Sequence, residues 1–237
     1  MSGLARPVLD GTNGACAATG ATSVDDLLGS ASSPWLTSPL RRLIELLLIS
    51  PVVALAAPIM AVVAAAVAQT LGRPILFRQV RSGHDGEPIS VVKFRTMTEA
   101  ATDEEPSTDA ERSVGFGRFL RASSLDELPQ LAAVLSGQMS LIGPRPLPTI
   151  YVDRYTPEQA RRLAARPGLT GWAQVHGRNE VPWPDRLALD VWYVEHASWR
   201  VDLSILVRTV GMLLTARGVR AQGHATMPEF TGSAEPS

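Results

Sequence analysis

The chain has 237 residues, room for one domain and an appendage, and its net charge of -1 gives no general attraction to nucleic acid or to an anionic surface. Its single cysteine, Cys16, excludes an internal disulfide framework and fits a reducing compartment. No Walker loop, dinucleotide-binding fingerprint, zinc-ligand spacing, nucleic-acid motif or internal repeat occurs.

Residues 1–34 are rich in Ala, Gly, Ser and Thr and poor in large apolar side chains. Such a segment buries too little surface to offset the entropy of ordering it, and it reads as a disordered tail that contains Cys16. It lacks the basic start and apolar core of a signal peptide. From Leu46 to Gly72 no residue is charged. As one helix these roughly 27 residues reach ~40 Å, more than a hydrocarbon core of ~30 Å. Two features argue against a simple span. Arg41 and Arg42 precede the segment and Arg73, Arg78 and Arg81 follow it, so the positive-inside rule places both flanks in the cytoplasm. Pro58 lies near the middle, where its missing N–H and its clash with the preceding turn favour a bend. The expectation is a re-entrant helix over 35–72, broken near Pro58 into arms of ~22 Å that enter and leave by the same face. A kinked span is the alternative, and a buried core helix is disfavoured by the length and the lack of a polar face.

The body of the chain is predicted over 73–232. Ile75–Gln79 and Ile89–Phe94 read as the strands of a β-hairpin around Ser82-Gly-His-Asp-Gly-Glu87. The second strand leads into Lys93 and Arg95, placed on one face by strand alternation, as in an anion-binding wall. Residues 98–112 are acidic and read as a solvated loop rather than a metal site. Next comes Arg121-Ala-Ser-Ser-Leu-Asp-Glu-Leu-Pro-Gln-Leu131, in which Asp126 and Glu127 fall at a helix start. Either Ser124 and Glu127 form a capping box, or Asp126 is the cap with Pro129 in the first turn. Both arrangements put the carboxylates at the positive end of a helix, which favours their ionised form and attracts phosphate. From these residues alone a structural ion-pair cluster is as good a reading as a functional one.

Beyond Gly143-Pro-Arg-Pro146, Tyr151–Ala165 reads as an amphipathic helix. Arg166–Asn179 reads as a glycine-rich loop, with His176 an ordinary loop histidine rather than a base. Val201–Thr215 is apolar except for Asp202 and Arg208, and suits either a core or a membrane interface. Residues 233–237 read as a flexible tail. The fold class is therefore α+β, mainly helical: a re-entrant membrane helix, interfacial amphipathic helices and a small β-hairpin.

Several ordered blocks together resemble one family. They are Arg41-Arg42 with Pro58, Lys93-Phe-Arg-Thr-Met97, the Leu120–Leu131 stretch, Met139-Ser-Leu-Ile-Gly-Pro-Arg-Pro146, Arg166-Pro-Gly-Leu-Thr-Gly-Trp-Ala-Gln174, Gly177-Arg-Asn179 and Gly223–Gly232. In this order they are similar to the bacterial sugar transferases, the monotopic polyprenyl-phosphate phosphoglycosyl transferases. The chain departs from the usual pattern at Ala57, commonly Ser, and at Ala133 and Gln138, commonly Asn and Asp.

The resemblance implies an enzyme at the cytoplasmic face of the bacterial plasma membrane that primes glycan assembly. Asp126 would attack a UDP-sugar and expel UMP, and polyprenyl (undecaprenyl) phosphate would then take the sugar phosphate from the carboxylate. Mg²⁺ is the implied cofactor, with Asp126 and Glu127 as its protein ligands. Lys93, Arg95, Arg121, Arg145, Arg166 and Arg178 are the implied phosphate-binding cations. Membrane lipid and downstream glycosyltransferases are the implied partners, and nucleic acid is not one. The rival readings are a catalytically silent scaffold for a glycan-assembly complex and a module that binds nucleotide sugars without transfer. The identity of the sugar is not legible in the residues.

Overall fold

The structure, a computed structural model, describes residues 32–97, 115–177, 181–215 and 229–232. Cys16, the acidic stretch 98–112, Arg178 and the tail 233–237 lie outside the described residues. Ser33 and Pro34, assigned by the sequence to the tail, are among the described residues. Ser33 donates from its N–H to the Val194 carbonyl (2.9 Å) and from its hydroxyl to that of Ala197 (2.6 Å). Ser33, read from the sequence as part of the tail, is thus tied down by hydrogen bonds that composition does not reveal.

The apolar segment forms a single helix, α1, Pro39–Thr70, that runs on through Pro51 and Pro58. The expected break at Pro58 is thus not an interruption of helical structure. Proline removes one backbone donor, here the partner of the Ala54 carbonyl, and a single missing bond does not end a helix whose other pairs form. Arg41, Glu45, Ile49, Ala56, Val63 and Val67 are its buried residues, recurring at one or two turns to mark one stripe. The other faces are apolar and open: Leu47, Leu55 and Val62 are 67, 74 and 69% exposed. A soluble core helix would have those faces covered. Uncovered apolar surface of this extent suits a lipid neighbour, and α1 is long and apolar enough to cross a membrane.

Both ends of α1 rest on the same body. Ile49 and Ala56 pack with Leu131, Val134 and Met139, while Val63, Val67 and Leu71 pack with Phe94 and Leu120. At the C-terminal end Arg95 donates to the carbonyls of Arg73 (3.0 Å) and Leu71, capping carbonyls that a helix end leaves unpaired. At the other end Arg41 is 6% exposed, so it is not the solvated flanking charge expected from the sequence. Its Nε donates to Asp202 Oδ2 (3.0 Å) and its Nη2 to the Ile142 carbonyl (2.7 Å), Ser140 Oγ (3.1 Å) and Tyr193 OH (3.0 Å). Tyr193 and Trp35 both donate to the Asp202 carboxylate, at 2.7 and 2.8 Å. Arg81 is partly buried as well, which leaves Arg73 and Arg78 as the exposed cations of the C-terminal flank.

The hairpin is present, with β1 Leu76–Ser82 and β2 Pro88–Phe94 in antiparallel register from Leu76 opposite Phe94 to Ser82 opposite Pro88. Helix α2, Gly115–Ala122, leads to a 3-10 turn at Leu125–Gln130 and to α3, Leu131–Ser136. Strand β3, Ser140–Ile142, pairs in parallel with β4, Gly168–Thr170, inside the segment read as loop. The backbones meet closely there: a Cβ on Gly143 would lie 2.3 Å from the Arg166 carbonyl oxygen, so only glycine fits.

The expected helix over Tyr151–Ala165 is instead three short turns: a 3-10 turn at Thr149–Arg154, α4 at Pro157–Ala160 and a second 3-10 turn at Arg161–Ala164. Pro157 forces the restart, and Thr156 with Gln159 makes the capping box that begins α4. After α5, Trp172–Val175, come α6, Trp183–His196, and α7, Trp199–Thr215. Asp202 and Ile205 of α7 turn inward, while Trp199, Leu203, Val207, Val210 and Leu213 are exposed along its other side. The stretch thus has a core side and an open apolar side, and the latter has the character that a membrane interface would need. Phe230 closes a further cluster with Leu147, Tyr151 and Leu187.

Arg41 joins α1 to β3, α6 and α7 through buried groups. Replacing it with Met leaves Asp202 buried beside no guanidinium, and Glu45 with only its longer pair to Arg42 (3.4 Å), and is expected to destabilise the fold by about 3–5 kcal/mol. Denaturant unfolding in detergent micelles measures this, and a loss below about 1 kcal/mol would show that the network does not hold the helix to the body.

Candidate active site

The two adjacent carboxylates are presented by a tight turn rather than by a capped α-helix. Ser124 has φ 57°, in the left-handed region, and its hydroxyl makes no capping bond, so neither anticipated cap exists. A non-glycine residue in that region is held by its surroundings and marks a constrained turn. The Glu127 N–H donates to the Ser124 carbonyl (3.2 Å) and opens the 3-10 turn, in which Pro129 sits near the end. This geometry separates the fates of the two side chains.

Glu127 is the anchored one. Lys93 Nζ and Arg145 Nη2 both donate to its Oε1, at 2.5 and 2.8 Å. Burial would raise its carboxyl, but Arg145 and Lys93 outweigh burial and hold it well below the usual carboxylate range. The same pairing raises Arg145. Asp126 is buried, at 7% exposure, and no ion pair among the described residues engages it. Burial first, and the Glu127 charge second, push its carboxyl up to about 6. The expected effect of the helix end, a more readily ionised Asp126, is thus overturned by desolvation.

Each cation reaches the site from a different element. Lys93 comes from β2, opposite Phe77 in the hairpin register. Arg145 comes from the loop after β3, whose Pro144 carbonyl accepts from Gly168 N–H (2.9 Å). The Arg145 carbonyl in turn accepts from Arg162 Nη2 (2.7 Å). Arg162 is itself fixed by Asp190 Oδ2 (2.8 Å), with side chains 2 and 3% exposed. The cleft beside Glu127 is lined by Phe77, Gln79, Arg81, Val91, Lys93, Gln130, Arg145 and Pro146.

Of the residues anticipated from the sequence, Asp126, Glu127, Lys93 and Arg145 are brought together. Arg95 is not with them, because it caps α1; strand alternation ends at Phe94 and no longer governs its direction. Arg121 donates to Thr96 Oγ1 (3.3 Å), and no described ion pair joins it to either carboxylate. Arg166 is exposed and takes part in no described hydrogen bond or ion pair. Arg178 lies outside the described residues. His176 accepts no catalytic geometry: its Nδ1 faces the Trp172 carbonyl (2.8 Å) and Arg208 Nη1 lies against its Nε2 (2.5 Å). Ala133 is part of the core packing and Gln138 is exposed.

The sequence reading missed Arg162 and Asp190, which together hold the loop of Arg145. A signal was available, since Asp190 falls on the apolar side of α6 with Leu187, Val191 and Val194. It also missed Arg81 and Gln130, whose place in the cleft depends on how the hairpin meets the turn.

The two carboxylates differ in how they would fit a divalent cation. Among the described residues no group of three or more His, Cys, Asp or Glu side chains could hold a metal. Glu127 does not fit as a ligand while it is paired with Lys93 and Arg145. Asp126 does fit, as a buried carboxylate with no cation of its own, provided that substrate oxygens complete the shell, which is the way Mg²⁺ is usually held.

Comparison with known proteins adds the family. The chain is 46% identical over 172 residues to the uncharacterized sugar transferase EpsL of Bacillus subtilis, covering 70% of this chain and 83% of that protein. It is 42% identical over 187 residues to the UDP-glucose:undecaprenyl-phosphate glucose-1-phosphate transferase of Caulobacter vibrioides, covering 74% of this chain and 70% of that protein. A Klebsiella pneumoniae protein of the same name is 37% identical over 204 residues, covering 78% of this chain and 44% of that longer protein. The family model for bacterial sugar transferases matches residues 36–216, from the turn before α1 through α7, and the chain belongs to the bacterial sugar transferase family.

Proposed function

We propose that this protein transfers a sugar 1-phosphate from a UDP-sugar to polyprenyl (undecaprenyl) phosphate at the cytoplasmic face of the plasma membrane, releasing UMP, as the priming step of glycan assembly. The observation that carries the reading is the buried Asp126, unpaired with any described cation, beside a Glu127 that gathers Lys93 and Arg145. Relatives named as undecaprenyl-phosphate glucose-1-phosphate transferases support the donor, acceptor and reaction class.

In the first step an Asp126 oxygen attacks the sugar-bearing phosphorus. A carboxylate–phosphorus bond forms, the bond to the bridging oxygen breaks, and UMP leaves with the electron pair. In the second step an oxygen of polyprenyl phosphate attacks the same phosphorus and the bond to Asp126 breaks, giving polyprenyl diphosphate sugar and the free carboxylate. Desolvation keeps Asp126 a strong nucleophile once it is ionised, because little water has to be stripped from it. Lys93 and Arg145 supply positive charge where phosphoryl oxygens gather charge, and Glu127 holds the two cations in place until they are needed. Mg²⁺, held by Asp126 and substrate phosphates, would neutralise diphosphate charge and improve the leaving group.

The tethering of both ends of α1 to one body supports the re-entrant arrangement, in which the helix enters lipid and its ends stay on the side of the active site. It would set the Asp126 turn at the level where a lipid phosphate and an aqueous nucleotide meet. Cysteines introduced one at a time at Ser38 and Arg73, with Cys16 replaced by Ser, test this in sealed spheroplasts. Both are expected to resist an impermeant maleimide added from outside and to react after lysis; labelling of one from outside would establish a span.

The reaction itself is tested by UMP release from a panel of UDP-sugars with undecaprenyl phosphate and Mg²⁺. Asp126→Asn is expected to lower turnover at least ~10³-fold while leaving the fold intact, because it removes the nucleophile with little change of shape. Donor alone should leave a phosphosugar on the wild-type peptide that contains Asp126, seen by mass spectrometry. Wild-type turnover in the Asn variant would refute the assignment.

A further inference from the structure

The cleft beside Glu127 carries more positive charge and more donor capacity than its own residues use. Arg81, Lys93 and Arg145 line it, and Glu127 engages the latter two through one oxygen. Among the described residues Arg81 has no carboxylate in ion-pair contact; its described bond is to the amide oxygen of Gln79 (2.5 Å). Burial disfavours its charge, and the nearby Arg145 disfavours it further. Two guanidinium groups that repel one another in a partly desolvated cleft form an arrangement that an anion would stabilise.

An independent feature points the same way. Gln130 is 4% exposed, lines this cleft, and its Nε2 has no hydrogen-bond partner. A buried amide donor without an acceptor is disfavoured, and such groups in folded proteins are normally satisfied. The orphan sits at the end of the 3-10 turn that carries Asp126 and Glu127 and lines the same cleft as Lys93 and Arg145, the two cations paired with Glu127. Across the cleft the hairpin register puts Phe77, Gln79 and Arg81 on one face with Val91 and Lys93. Phe77 is 51% exposed, an open apolar surface at the border of the cationic patch.

We infer that Arg81 and Gln130 form a seat for a phosphate dianion, with the Arg81 guanidinium and the Gln130 amide N–H donating to its oxygens, and that in the proposed transfer reaction this seat holds the nucleotide phosphate that departs as UMP. The inference rests on the proposed function for the identity of the ligand but not for the existence of the seat. Lys93 and Arg145 exchange Glu127 for phosphoryl oxygens at the reacting centre, whereas Arg81 and Gln130 hold the phosphate that is not attacked. Arg81 is therefore a binding residue for the leaving group, and its loss is read in affinity before it is read in chemistry.

The test uses the full chain in nanodiscs, with wild type, Arg81→Gln, Arg81→Lys and Gln130→Leu, each checked for a wild-type melting transition. Equilibrium binding of UMP, uridine and inorganic phosphate needs no turnover. Arg81→Gln is expected to weaken UMP at least ~10-fold and Gln130→Leu by about 3–10-fold, with uridine unchanged in both and Arg81→Lys in between. In turnover assays the KM for the UDP-sugar should rise by similar factors while the KM for polyprenyl phosphate stays fixed. The opposite pattern, with acceptor KM raised and UMP binding unchanged, would retain the phosphate seat but assign it to the lipid phosphate, overturning the nucleotide assignment. Folded variants that match wild type in all three ligands and both KM values would overturn the seat altogether. Wild type that binds UMP in an Arg81-dependent manner yet transfers no sugar across the donor panel would uphold the seat and refute the transferase reading.

Discussion

The site depends on one oxygen atom. Glu127 Oε1 accepts from Lys93 of the hairpin and from Arg145 of the loop after β3, and so binds together three segments that are distant in sequence. Without an anion at that point, two cations would face each other in a cleft partly withdrawn from water, and the hairpin would have no electrostatic reason to close on the turn. The same arrangement leaves Asp126, one residue earlier, with neither cation. Adjacent carboxylates thus come to differ in kind, one held ionised by its neighbours and the other destabilised as an ion by burial. A division of labour between neighbouring acids needs no difference in side-chain chemistry, only a turn tight enough to point them into different surroundings.

Support for Glu127 extends outward through ordinary packing. Arg145 is held by its own carbonyl, which accepts from Arg162, and Arg162 is held by Asp190 in the interior of α6. The close contact of Gly143 with the backbone of Arg166 brings β4 against the loop from the other side. These groups touch no reacting atom. They fix the loop and so hold Arg145 where it meets Glu127.

Much of this was legible in the residues. The hairpin, the apolar segment, the Asp126–Glu127 pair and the roles of Lys93 and Arg145 in one charged cluster follow from alternation, charge gaps and motif order. Other features were not. Whether Ser124 caps a helix or sits at φ 57° depends on what packs around the turn, because the local sequence supports both. Arg95 belongs to the same short motif as Lys93 but serves the end of α1, since the strand stops between them. Arg41 reads as a solvated flank because basic residues beside apolar helices usually are, and only the distant Asp202 and Tyr193 turn it inward. In each case the deciding partner lies far along the chain, where periodicity carries no information.

The separation between Arg41 and Asp202 has a consequence for how the protein is made. Helix α1 leaves the ribosome before the carboxylate that receives its guanidinium, which is synthesised 161 residues later. Until then Arg41 has its near neighbour Glu45. Closing so long a loop is entropically expensive and slow, so the joining of helix to body belongs among the last events of folding. A chain cut short before α7 would lack the carboxylate that receives Arg41 and could not close on its own first helix.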